Sequence, residues 1–266
     1  MSYKRIFISA DHGLAIVYFL QSDVVLTLLN AGVEVILLTD DALKEKIQAQ
    51  FTQAGLTIEG LRLDKAKAYF QKEHNSIQWW LDFLRRAGAS NRINLQAVDS
   101  YIHQVEVEAH TRRRILFPLM NGVTGVLRRS RAVRRYLMNE QERFTPDLYG
   151  DLFEHYRPDL VIASTPGWRF DRYLLREAAR RGIPTAAAIV GWDNTSSYSL
   201  PGAKVEHVTC WSEIQKQELV DGSDWEVSQV NIAGIPSYDG YFRRTWVLPR
   251  EEYLHLHDLD PQRKLI

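Results

Sequence analysis

Asp11-His12-Gly13 lies directly after the apolar run Arg5-Ile-Phe-Ile-Ser-Ala10. Histidine has an unperturbed pKa close to neutrality and can take up a proton there. An aspartate beside it can orient the ring, and a glycine lets the backbone approach a substrate. The same three residues also suit a tight strand-to-helix turn in which Asp11 or His12 caps the next helix. A second candidate stretch, Trp192-Asp193-Asn194-Thr195-Ser196, follows Ile189-Val190. Its indole offers a stacking face for a sugar ring, and its polar side chains supply the donors and acceptors that a hydroxyl-rich ligand needs. Alternatively, Asp193 and Asn194 form an Asx-type turn.

Other chemistries lack their residues. The chain has no H-x-E or H-E-x-x-H spacing, no G-x-S-x-G elbow, no Walker P-loop and no G-x-G-x-x-G fingerprint. His255-Leu-His257 with Asp258 reads as an exposed helix end rather than a metal site. The sequence asks for no cofactor and no metal. Its one cysteine, Cys210, excludes an internal disulfide framework and fits a reducing compartment.

The elements that position these residues come from apolar patterning. The chain has 266 residues, 45% of them apolar, and equal numbers of acidic and basic side chains, enough for one large core or two modest ones. Arg5–Ala10 reads as a central parallel strand. Apolar positions from Leu14 to Leu29 predict one helix closed by Gly32, and Val33–Leu38 predicts a second strand. An aspartate among Asp40 and Asp41 is placed to cap a helix over Ala42–Ala54, and Leu56–Leu63 predicts a third strand. From Lys65 to Glu142 no strand is expected. Trp79, Trp80, Phe83 and Leu84 form a helical core stripe there, with helix breaks expected near Pro118, Gly122 and Gly125. Alternation resumes at Asp147, with strands at Leu160–Ala163, after Ile183-Pro184, at Val205–Trp211 and at Val230–Ile232. This is the pattern of a Rossmann-like, doubly wound α/β parallel sheet with a helical insertion.

The insertion also carries Arg112, Arg113, Arg114, Arg128, Arg129, Arg131, Arg134 and Arg135 among apolar residues. Such a mixture can lie on an anionic membrane surface. It can equally be a solvated helix face paired with Glu106, Glu108, Glu140 and Glu142. A zero net charge and the lack of a binding module argue against nucleic acid. No secretory leader is recognised, and no run reaches the roughly 18 apolar residues that span a bilayer. The expected location is the cytoplasm, with the inner membrane face as the peripheral option.

Trp192-Asp193-Asn194-Thr195-Ser196, Trp211-Ser212-Glu213 and Gly234-Ile235-Pro236-Ser237-Tyr238-Asp239 together resemble the inter-domain segment of GT-B glycosyltransferases. More narrowly, they are similar to bacterial surface-polysaccharide transferases and their CDP-glycerol glycerophosphotransferase relatives. That resemblance implies that residues 1–248 are the N-terminal, acceptor-binding half, with a helical insertion over about 65–142, and that 249–266 lead toward a second domain. It implies a nucleotide-sugar donor held mainly by that second domain, and a glycan or lipid-linked acceptor held here. It places a catalytic base at His12, supported by Asp11, with Gly13 and residues 192–196 binding substrate. Trp192-Asp193 stands where the glycerophosphotransferase branch has His-Gly, a departure from that activity. A glycerophosphotransferase-like or epimerase-like half, and a non-catalytic Rossmann-like binding module, remain the alternatives.

Overall fold

Seven short apolar runs become the strands of one all-parallel sheet in the computed structural model, which describes residues 4–72, 76–109, 111–192 and 194–264. They are β1 Arg5–Ala10, β2 Glu34–Thr39, β3 Leu56–Gly60, β4 Leu160–Ala163, β5 Thr185–Ala188, β6 His207–Cys210 and β7 Val230–Ile232, in the spatial order β3-β2-β1-β4-β5-β6-β7. The central strand is held on both sides, with Ile8 opposite Leu37 of β2 and Ile162 of β4. Alternate residues face opposite layers, as the two-residue period of a strand requires. Phe7, Leu38, Val161 and Ala187 pack with Tyr173 and Leu174 on one face. Ile6, Ile8, Leu37 and Ile58 pack with Tyr18 and Phe19 on the other. Both faces are covered, which is why these strands are apolar runs rather than alternating ones. The doubly wound α/β architecture expected from the pattern is the one observed.

The stretch from Lys65 to Glu142 is helical, with no strand among its described residues. It builds its own core from Trp80, Phe83, Leu84, Phe117, Leu127 and Leu137, with Trp79 packed against it. Trp80 and Phe117 meet edge to face at 5.3 Å. The tryptophan pair is therefore core, as its spacing predicts. The expected break near Pro118 is there, since one helix ends at Arg114 and the next runs over Phe117–Arg129, but those around Gly122 and Gly125 are not. Pro118 sits in its first turn, where no backbone N–H is needed. Gly122 and Gly125 lie inside it, tolerated because buried Thr124 and Leu127 anchor the helix.

Further boundaries differ from the sequence pattern: the third strand stops at Gly60, and Leu63 opens the next helix. The expected helix from Leu14 to Leu29 is split into a short α-turn Gly13–Ile16, a π-helical turn Val17–Gln21 and a helix Val24–Asn30. Ser22 causes the break: its hydroxyl donates to the Tyr18 carbonyl and accepts from Val24 N–H at 3.2 Å, replacing a turn of backbone bonding. Gly32 does close the helix, at φ 77°. Asp40 caps as expected, accepting from Ala42 N–H at 3.1 Å, but the cap opens a 3₁₀ turn before the helix Lys44–Gln50. Gly13–Asn30 is apolar and long enough to cross a membrane by composition. Here it is the β1-to-β2 crossover, its apolar side packed on the sheet.

Candidate functional site

The chain steps outward from β1 through β2 to β3, then returns and continues from β4 to β7 on the other side. The order therefore reverses between β1 and β4, and the crevice outside their C-terminal ends is where open parallel sheets bind ligands. Asp11-His12-Gly13 leaves β1 at this point, and Ser164–Arg169 leaves β4 beside it.

Asp11 is the hub. Its side chain is 2% exposed, yet both oxygens are occupied. Oδ1 meets His12 Nδ1 at 2.5 Å and accepts from the Ser164 hydroxyl at 2.9 Å. Oδ2 accepts from Arg169 Nε at 2.6 Å. Burial pushes this carboxyl upward, but the hydrogen bond with His12 and the charge of Arg169 outweigh it and hold the group below its ordinary value. An ionised carboxylate can only accept, so the proton lies on Nδ1, and a neutral His12 has its free lone pair on Nε2. No described residue partners Nε2, and the His12 side chain is 23% exposed. His12 stands at the N-cap position of the first helical turn without making a side-chain cap bond. Capping by Asp11 or His12, the structural alternative, is thus not what these side chains do. A Cβ added to Gly13 would meet nothing within 4 Å, so the backbone there faces open space.

A second carboxyl sits behind the first. Asp171 is fully buried, accepts from the Thr165 hydroxyl at 2.6 Å on Oδ2, and has no partner for Oδ1. Burial, reinforced by the negative charge of Asp11, pushes it up to about 7. Two neighbouring carboxyls are thereby driven in opposite directions, an arrangement typical of acid–base sites.

The β4 loop that carries Arg169 is held firmly. Trp168 N–H donates to Thr165 Oγ1 at 3.0 Å, and the Trp168 ring stacks on Tyr198 at 5.6 Å. Gly167 takes φ 79° and packs against Gly202, whose N–H donates to the Pro166 carbonyl at 2.9 Å. A Cβ at Gly202 would lie 1.8 Å from the Gly167 carbonyl oxygen. Gly202→Ala is therefore expected to cost about 1–3 kcal/mol as the two loops are forced apart, measured by urea unfolding. An unchanged midpoint and slope would remove the claim that this contact sets the loop.

Trp192 leaves β5 on the same rim, two strand spacings or about 10 Å across the sheet from the β1 loop. Its ring is 75% exposed. Gln215 Nε2 donates to the Gly191 and Trp192 carbonyls at 2.9 and 3.3 Å, fixing the backbone. Thr195 is fully buried with its hydroxyl unpartnered, and so faces protein rather than the open rim. Ser196 is half-buried. Asp193 and the Asn194 side chain lie outside the described residues. Ser212 caps the helix Glu213–Ser223 by accepting from Gln215 N–H, as its position predicts. Arg169, Ser164, Thr165 and Asp171 carry no motif, and sequence reasoning assigned them no role. The one signal for them was that Ser164–Trp168 is itself a strand-end loop.

The insertion's arginines are largely committed within the molecule, with acids other than the expected glutamates. Arg134 is buried and grips Asp224 with two bonds of 2.6 and 2.7 Å. Arg128 pairs with Asp99 at 2.7 Å, and Arg131 and Arg135 reach Glu226. Arg113 lies over the Trp79 ring at 4.3 Å. Arg114 and Arg129 remain exposed, Arg114 next in sequence to exposed Ile115. The Arg112 side chain lies outside the described residues.

A cavity of about 540 Å³, lined by Ile183, Thr185, Val205 and Trp225 among others, opens at the strand N-termini. It lies on the opposite edge from His12, so its size does not make it part of this site. Among the described residues no three His, Cys, Asp or Glu side chains cluster to hold a metal ion. Comparison with known proteins finds no protein-family model and no curated protein that matches this chain.

Proposed function

We propose that this chain is the acceptor-binding half of a GT-B-type glycosyltransferase acting on a glycan or lipid-linked acceptor, with His12 as general base. The observation that carries this reading is the Asp11–His12 contact at the switch point: a fixed imidazole with its unpartnered nitrogen turned from a buried carboxylate. In the proposed step the acceptor hydroxyl gives its proton to Nε2 as its oxygen bonds to the sugar carbon, and the bond from that carbon to the nucleoside diphosphate breaks. The open backbone at Gly13 leaves room for the acceptor, and the exposed Trp192 indole offers a sugar-stacking face on the same rim. A membrane carrying a lipid-linked acceptor would be met at Arg114, Ile115 and Leu119.

The test is release of nucleoside diphosphate from a panel of nucleotide sugars by the natural full-length protein, with and without a glycan acceptor. Acceptor-dependent release is expected. Residues 1–266 alone should bind nucleotide sugars no tighter than the millimolar range by calorimetry, because the reading assigns the donor to a second domain. Micromolar binding by residues 1–266 would instead favour a complete nucleotide-binding module.

A further inference from the structure

We propose that Arg169 is a specificity-determining residue that binds an anionic group of the acceptor, a phosphate or carboxylate, beside the His12 base. The inference rests on the reading of His12 given above, and its evidence is the way one carboxylate is shared. Asp11 Oδ1 is filled by His12 and Ser164, so Arg169 can reach only Oδ2, and does so through Nε at 2.6 Å. The terminal Nη1 and Nη2 atoms make no hydrogen bond to any described residue, although the side chain is 46% exposed. Those two nitrogens form the planar edge that meets a carboxylate or phosphate with two parallel bonds.

An arginine tethered at Nε alone, on a loop fixed by the Gly167–Gly202 contact and by Trp168 stacking on Tyr198, is pre-organised rather than mobile. Little side-chain entropy remains to be lost when an anion docks. Because His12 and Arg169 hang from the same carboxylate, an anion on Arg169 would bind in the same strand-end crevice as the His12 ring. The charge balance agrees below neutral pH: Asp11 offsets one unit of positive charge, and burial holds Asp171 protonated beside it. A neutral acceptor would leave the Nη edge to water; an acceptor bearing a phosphate or uronic carboxylate would satisfy it.

The experiment is a titration of the isotope-labelled 266-residue chain with inorganic phosphate, acetate and uridine diphosphate in turn. It follows the Gly13 amide and the Arg169 side-chain resonances. Phosphate and acetate are expected to shift both, with Arg169→Gln weakening phosphate binding at least about 10-fold. Arg169→Lys keeps the charge but loses the fork, and should fall between the two. Equal phosphate affinity in wild type and both variants would overturn the proposal, as would shifts caused only by uridine diphosphate. In the full-length enzyme, Arg169→Gln should raise KM for an anionic acceptor and leave KM for the nucleotide sugar unchanged. The titration needs no turnover, so a protein that binds phosphate through Arg169 yet transfers no sugar would refute the proposed activity and not this site.

Discussion

On the proposed general-base role, replacing His12 with Ala is expected to lower kcat of the full-length protein by about 100-fold or more, the usual loss when a general base is removed. KM for the acceptor changes little, and the melting temperature falls by what the buried Asp11 carboxylate loses with its His12 hydrogen bond. The structure is what separates these quantities. His12 makes no side-chain cap bond, so its removal deletes no helix-terminus interaction, and its ring is only partly buried. It does delete the group whose Nε2 is unpartnered at the switch point. Asp11→Asn is expected to lower kcat in the same direction but less, since an amide oxygen still accepts from Nδ1 without stabilising the imidazolium. It also lowers stability, because Arg169 loses its ion-pair partner. Normal turnover in His12→Ala would remove the catalytic assignment and leave His12 as a structural partner of Asp11.

Asp171→Asn stabilises the protein by up to about 4 kcal/mol at pH 8, and the gain disappears toward pH 4. The group is fully buried, with its value raised from 3.8 to about 7 by burial and by the charge of Asp11. Below pH 3.8 it is protonated in both folded and unfolded chains, and nothing is lost. Between 3.8 and 7 the unfolded chain releases the proton while the folded one keeps it, so stability falls as pH rises. Above 7 both forms are ionised and the full penalty of about three pKa units at 1.36 kcal/mol each is present. The isosteric amide keeps an oxygen for Thr165 and cannot ionise, so the pH-dependent part of the difference reports the charge, while its NH2 in the unpartnered position of Oδ1 adds a pH-independent cost. Urea unfolding of both proteins at pH 4, 6 and 8 measures the difference directly. A stability gap independent of pH would show that Asp171 is not the titrating group.

The strand–helix alternation was legible in the amino-acid order because a strand buried on both faces must be a short apolar run, and runs such as Arg5–Ala10 and Leu160–Ala163 stand out between polar loops. The same logic marked the helical insertion, where Trp79, Trp80, Phe83 and Leu84 recur at helical spacing, and it located Asp11-His12 at a strand end. Local rules failed where a side chain competed with the backbone, as Ser22 does in splitting the first crossover helix. They also failed where tertiary packing outweighed propensity, as in the uninterrupted helix through Gly122 and Gly125. What only the tertiary structure decided is the company Asp11 keeps. Ser164 and Arg169 lie 153 and 158 residues further along the chain, and they arrive because β4, rather than any strand nearer in sequence, pairs with the free side of β1. The partners of Arg134 and Arg131 were hidden for the same reason: Asp224 and Glu226 lie beyond the sheet's centre in sequence. A residue's type and its neighbours fix its chemistry and its local backbone, whereas strand order is set by the packing of the whole sheet, and it is strand order that puts an imidazole, its carboxylate and a guanidinium on one edge.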